Sequence, residues 1–136
     1  MQEPEPDWQP VLDKLTLLRD AWPGEPWTWD DRFVMLASSF PIDAEEKARA
    51  SAALALPYSW DKASLATAPP SLRELCERTG GLRSKQRLLA GRAGDLVLIG
   101  LWWPWGNGTT ITLRLGLGEY EADEPPYPAV RKLFKV

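Results

Sequence analysis

Two neighbouring stretches decide the fold: Leu96-Val97-Leu98-Ile99-Gly100-Leu101-Trp102-Trp103 and Thr109-Thr110-Ile111-Thr112-Leu113-Arg114-Leu115-Gly116-Leu117. The first is an unbroken apolar run, as expected for a strand covered on both faces. The second alternates. Ile111, Leu113, Leu115 and Leu117 face one way, and Thr110, Thr112, Arg114 and Gly116 face the other. Between them, Gly106-Asn107-Gly108 supplies residues that accept positive φ. The spacing predicts that 95–103 pairs antiparallel with 109–117. An isolated hairpin is marginal in water, so a third strand or a helical cover is required. Ala129 to Val136 admits either a strand or a short helix.

Upstream, the period lengthens to that of a helix. Trp8, Val11, Leu12, Leu15, Leu18 and Trp22 line one face, with Asp7 placed to cap it. Pro23-Gly24-Glu25-Pro26 is a turn. From Trp27 to Phe40, the spacing of Phe33, Leu36, Ala37 and Phe40 favours a helix capped by Asp30. Ala44 to Leu56 is alanine-rich and reads as a further helix. Tyr58 to Pro70 reads as irregular. Ser71 and Glu74 form a capping box before the apolar face of Leu72, Leu75 and Cys76. Gly80-Gly81 suits a left-handed helix end, and Ser84 is placed to start another short helix up to Ala90.

The fold class expected is α+β: N-terminal helices packed on a small antiparallel sheet built around a C-terminal β-hairpin. At 136 residues one domain is expected, 7–136, after a disordered proline- and glutamate-rich tip, 1–6. No apolar run approaches the length of a membrane span. The N-terminus lacks the basic start and apolar stretch of a secretory signal.

Composition removes most familiar catalysis. The chain has no His and one Cys. That leaves no Ser-His-Asp or Cys-His machinery, no Cys/His zinc site and no disulfide framework. Neither a cofactor nor a metal site is implied. Cys76 falls on the apolar face of its helix and reads as a buried structural thiol. A lone cysteine fits a reducing, cytoplasmic setting. One Asn and three Ile, beside abundant Ala, Leu, Pro, Trp and Arg, are common in proteins from GC-rich bacterial genomes.

Charge is unevenly spread. Residues 1–60 hold five Lys/Arg against eleven Asp/Glu (−6), 61–118 hold eight against four (+4), and 119–136 three against four (−1), within a net charge of −3. The basic excess lies at Arg78, Arg83, Lys85, Arg87 and Arg92.

Three constellations stand out. In Thr79 to Arg87, a glycine-rich turn would lead into a helix, whose free N–H groups suit an anion, with Arg83, Lys85 and Arg87 beside them. It matches neither the P-loop nor the dinucleotide fingerprint, and a solvated basic face is the plainer reading. In Trp102-Trp103-Pro104-Trp105-Gly106-Asn107-Gly108, adjacent strand residues point to opposite faces, so the tryptophans cannot share one core. Trp105, in the turn, is the hardest to bury. Trp102, Trp103, Trp105 and Asn107 are therefore the candidate partner-binding residues. Third, Glu119, Glu121, Asp123 and Glu124 offer carboxylates, but their spacing is not that of a calcium loop, and a solvated acidic loop accounts for them.

The function expected is non-catalytic: a small bacterial accessory protein that binds another protein. Examples are an immunity protein neutralising a basic toxin, or an adaptor for a basic effector. The acidic N-terminal half suits a basic partner, and a homodimer is compatible. An alternative is a nucleic-acid or phosphate-ligand module using the basic segment and an exposed Trp. Net negative charge counts against extended nucleic-acid binding. A further alternative is a carboxylate-dependent enzyme.

Overall fold

The computed structural model describes residues 7–94, 96–117 and 126–136. The tip at 1–6, Asp95 and the acidic cluster at 119–124 lie outside the described residues. Helix α1 (Gln9–Ala21) starts with Pro10 in its first turn, where a missing N–H costs nothing. The Asp7 carboxylate accepts the Gln9 N–H at 3.0 Å. Next come β1 (Thr28–Asp30), β2 (Met35–Pro41), a 3-10 turn at Ile42–Ala44 and α2 (Glu45–Ala53). After β3 (Tyr58–Trp60) and α3 (Pro70–Arg78) follow β4 (Arg87–Ala93), β5 (Leu96–Pro104), β6 (Thr110–Leu117) and α4 (Tyr127–Phe134).

The strands form one six-stranded sheet in the order β1-β2-β6-β5-β4-β3, with every pair antiparallel. The fold is α+β, and the β5–β6 hairpin sits at its centre. Its register places Trp103 opposite Thr112 and Leu101 opposite Arg114.

Three local readings change, and the open choice at 129–136 is resolved. The segment 27–40 is a hairpin, not a helix. Leu36 and Phe40 satisfy both a helical and a strand period, and the structure uses the latter, with Ser38 between them also facing inward. Ser38 is buried. Its hydroxyl donates to the Glu25 carbonyl at 2.6 Å and accepts the Trp22 indole N–H at 2.8 Å, so a polar residue is satisfied on the core side. Asp30 does not cap a helix. One carboxylate oxygen accepts the backbone N–H groups of Arg32 and Phe33 at 3.0 and 3.3 Å, folding the tight turn. Val34 closes that turn at φ 56°, a costly conformation for a β-branched side chain.

The stretch 84–90 is likewise no helix. Ser84 and Lys85 turn, with Lys85 at φ 72°, and Arg87 opens β4. The short apolar run Leu88-Leu89-Ala90 is buried on both faces of the sheet, a pattern that periodicity alone does not separate from a helix. The region 58–70 contains β3, and 129–136 lies mostly in helix α4. Smaller differences concern helix ends. α2 stops at Ala53, and α3 begins on Pro70 without a side-chain cap from Ser71. Gly80 and Gly81 do end α3 with φ of 106° and 75°, and the Gly81 N–H returns to the Cys76 carbonyl at 2.9 Å.

The two faces of the sheet are covered unequally. On one, Leu36, Phe40, Leu98, Trp102, Leu113 and Leu115 pack under α1, α2 and α4 through Val11, Leu15, Leu18, Ala52, Tyr127 and Val130. On the other, α3 brings Leu72, Leu75 and Cys76 onto Leu88, Ala90, Ile99 and Leu101. That second cover lies mainly over β4 and β5, with Met35 of β2 drawn in at its border. Beyond it, the outward Ala37 and Ser39 of β2 and Arg114 of β6 are only partly covered.

Candidate partner-binding face

The open half of the sheet is a groove of about 1280 Å³, lined by Glu25, Thr28, Asp30, Asp31, Ala37, Ser39, Trp103, Trp105, Thr110, Thr112 and Arg114, among others. Cross-strand pairing builds its floor. Thr112 stands opposite Trp103 on one side and Ser39 on the other, and Arg114 stands opposite Leu101 and Ala37. These are the non-core positions of the alternating strand, here polar because no helix covers them.

Trp105 begins the turn at the groove's end. Its backbone N–H donates to the Thr110 carbonyl at 2.8 Å, and its carbonyl accepts the Gly108 N–H at 3.2 Å. The Asn107 side-chain carbonyl accepts the Thr109 N–H at 2.9 Å, so Asn107 shapes the turn. The Trp105 indole folds back over the floor and donates to the Thr112 hydroxyl at 2.7 Å, and that hydroxyl is 2.7 Å from the Ser39 hydroxyl. Trp105 is 51% exposed, and yet its ring is anchored.

At the far side, Arg114 donates from Nε to Asp30 Oδ2 at 2.9 Å, with both side chains about one-fifth exposed (21% and 19%). Its guanidinium carbon lies 4.9 Å from the Trp103 ring centre and 5.3 Å from that of Phe33. Phe33 meets Trp103 edge-on at 5.4 Å. Asp30 thus serves two purposes: one oxygen folds the β1–β2 turn, and the other fixes Arg114. Asp31 accepts the Trp29 indole N–H at 2.9 Å.

The predicted residues part company here. Trp103, Trp105 and Asn107 lie at or beside the open face. Trp102 does not, and this corrects its assignment as a partner contact. It is 2% exposed, with its ring 5.0 Å from that of Phe40 under the helical layer.

The basic segment changes more. With no helix after Ser84, the expected helix N-terminus does not exist. The Arg83 N–H is taken by the Gln86 side chain at 2.8 Å. Lys85 and Arg87 line a smaller hollow of about 570 Å³ on the other side of Trp105, in company with Glu45 and Asp61. Asp61 is held below its usual carboxylate range, first by the Ser64 backbone N–H, then by the Ser64 hydroxyl, with a smaller contribution from the Arg87 charge. Arg83 does not join that lining. Cys76 is buried, and burial, then the Glu77 charge, push its thiol up, away from the reactive thiolate.

Sequence reasoning missed Asp30, Phe33, Ser39 and Arg114 as a group. Arg114 and Thr112 were visible as the outward positions of an alternating strand. Asp30 was visible only as a cap, because its partner lies 84 positions away. Among the described residues, no group of three His, Cys, Asp or Glu is placed to hold a metal, and no helix is long and apolar enough to cross a membrane. Comparison with protein-family models, curated proteins and solved structures finds no match to this chain.

Proposed function

We propose that this protein acts by binding another protein, without catalysis, through the uncovered half of its sheet. The observation that carries the reading is the exposed Trp105, its indole held in place by Thr112 beside an open sheet face of mixed polar and aromatic residues. A rigid aromatic at the rim loses little entropy on association, and truncating such an anchor can cost about 2 kcal/mol or more of binding. The groove carboxylates Asp30 and Asp31 hold structural hydrogen bonds, which favours a binding role over acid–base work. An immunity protein or an adaptor is the concrete form, with a basic toxin or effector as partner. The setting we propose is the bacterial cytoplasm, supported by the single buried thiol and by composition.

The test uses the products of the genes flanking this one, purified and titrated against the protein by calorimetry. One should bind, and Trp105→Ala should weaken it by about 30-fold, which corresponds to about 2 kcal/mol. No binding by any flanking product, or equal binding by the variant, would remove this reading. A second reading, an anionic or nucleic-acid ligand in the smaller hollow, is favoured by Lys85 and Arg87 meeting Trp105 there. Glu45 and Asp61 in the same lining weigh against it. It requires binding that falls steeply with salt.

A further inference from the structure

Resting on that reading, we infer that the groove seats an extended, basic segment of the partner. The charge of the lining comes first. Glu25, Asp30 and Asp31 face a single cation, Arg114, which leaves a formal charge of −2. Arg114 is also already engaged, with its Nε on Asp30 and the planes of Trp103 and Phe33 against its guanidinium. Glu25 and Asp31, both exposed, have no ion-pair partner among the described residues. An acidic ligand would meet these two carboxylates and one spent cation. A lysine or arginine would meet two available carboxylates.

The opposite rim suits the same chemistry. A cation is attracted to the face of an indole, and the attraction grows when the ring is fixed and partly desolvated. Trp105 is fixed through its N–H to Thr112.

The floor adds a hydrogen-bond argument. The Thr112 hydroxyl accepts from Trp105 and shares one hydrogen with Ser39. Two hydroxyls bring two hydrogens, and only one lies between them. The other is left as a donor on the floor, at Ser39 or at Thr112, and Thr112 is itself 6% exposed. A backbone carbonyl is the natural acceptor.

Size fits a strand. The groove crosses β5, β6, β2 and β1, three inter-strand spacings or about 14 Å, which an extended chain covers in about four residues. A basic side chain at each end, with small residues between, then reaches both rims.

The experiment titrates two fluorescein-labelled eight-residue peptides by anisotropy at low salt, one alternating Lys and Val, the other Glu and Val. The Lys peptide should bind and the Glu peptide should not. Glu25→Lys with Asp31→Lys should weaken the Lys peptide at least tenfold. Asp13→Lys with Glu46→Lys makes the same charge change on helices of the covered face and should weaken it less than threefold. Circular dichroism should show all variants folded, since each altered residue is exposed. Absent binding, preference for the Glu peptide, or equal loss in both double variants would overturn the inference. If a flanking gene product binds in a Trp105-dependent manner yet ignores Glu25→Lys with Asp31→Lys, protein binding stands and the basic-segment inference falls.

Discussion

Trp102 and Trp103 are one residue apart and belong to different worlds. Trp102 points under three helices and is sealed against Phe40, whereas Trp103 points to the opposite face, half-buried between Phe33, Arg114 and the open groove. The pleat alone separates them. What differs is the cover. α1, α2 and α4 cover one face of the central strands, while α3 lies mainly over the β4–β5 side of the other. Sealed positions are apolar, apart from Ser38, whose hydroxyl is hydrogen-bonded on both sides. Uncovered positions carry hydroxyls, Asp30 and Arg114, each tied to a neighbour. On the reading proposed above, stability and recognition fall on opposite sides of the same strands.

The sharpest way to break this division is Trp102→Ala. A truncated core tryptophan costs about 3–5 kcal/mol, a large share of the roughly 5–15 kcal/mol that holds a typical domain. The urea midpoint should fall steeply, with the residues of the open face untouched. A loss below about 1 kcal/mol would show that the covered face is not where stability resides.

Next in size is Tyr127, on α4. Its hydroxyl accepts the Leu117 N–H at 2.7 Å and donates to the Leu117 carbonyl at 2.9 Å, in full burial. Tyr127→Phe orphans both backbone groups, at about 1–3 kcal/mol. The same site predicts an alkaline limit. Burial pushes the phenol up to about 12, with Leu117 partly opposing. The unfolded value is about 10, so the neutral form is favoured in the folded chain. The stabilisation is complete below about pH 10 and is lost as pH rises from there towards 12. Stability against pH should fall over that window in the wild type, and more gently in Tyr127→Phe. Parallel curves would place the titration elsewhere.

The two faces also differed in how far the sequence disclosed them. The hairpin, α1 and α3 were legible because each has one clean period. The 27–40 stretch was not, because Leu36 and Phe40 fit two periods and the buried Ser38 disguised the alternation. Its burial depends on Trp22 and Glu25, which precede it in the chain by more than ten residues. Trp105 was legible from its place in a turn. The Asp30–Arg114 pair was not, since it exists only once β1, β2 and β6 lie side by side.

That pair gives the third test. Asp30→Asn keeps an oxygen for the Arg32 and Phe33 N–H groups but turns an amide towards Arg114, so the ion pair is lost while the turn is kept. The pair is about four-fifths buried, and the cost should be about 1–2 kcal/mol. Asp30→Ala removes both roles and should cost more. Equal losses would mean that the turn contributes nothing, and that Arg114 alone needs Asp30.

The smallest effect concerns the anchor of the exposed ring. Trp105→Phe keeps a smaller aromatic ring at the rim and deletes the N–H that donates to Thr112 at 2.7 Å. The Thr112 oxygen retains Ser39 as a partner, so no buried group is orphaned. The expected loss of stability is therefore at or below about 1 kcal/mol, the ordinary net worth of one hydrogen bond. In the wild type, the anchor has its own signature. The Trp105 indole hydrogen should exchange with solvent slowly although the residue is half exposed, because its acceptor belongs to buried Thr112 (6% exposed). Exchange at the rate of a free indole would mean that the ring swings loose. The open face would then lack the fixed edge that distinguishes it from an ordinary polar surface.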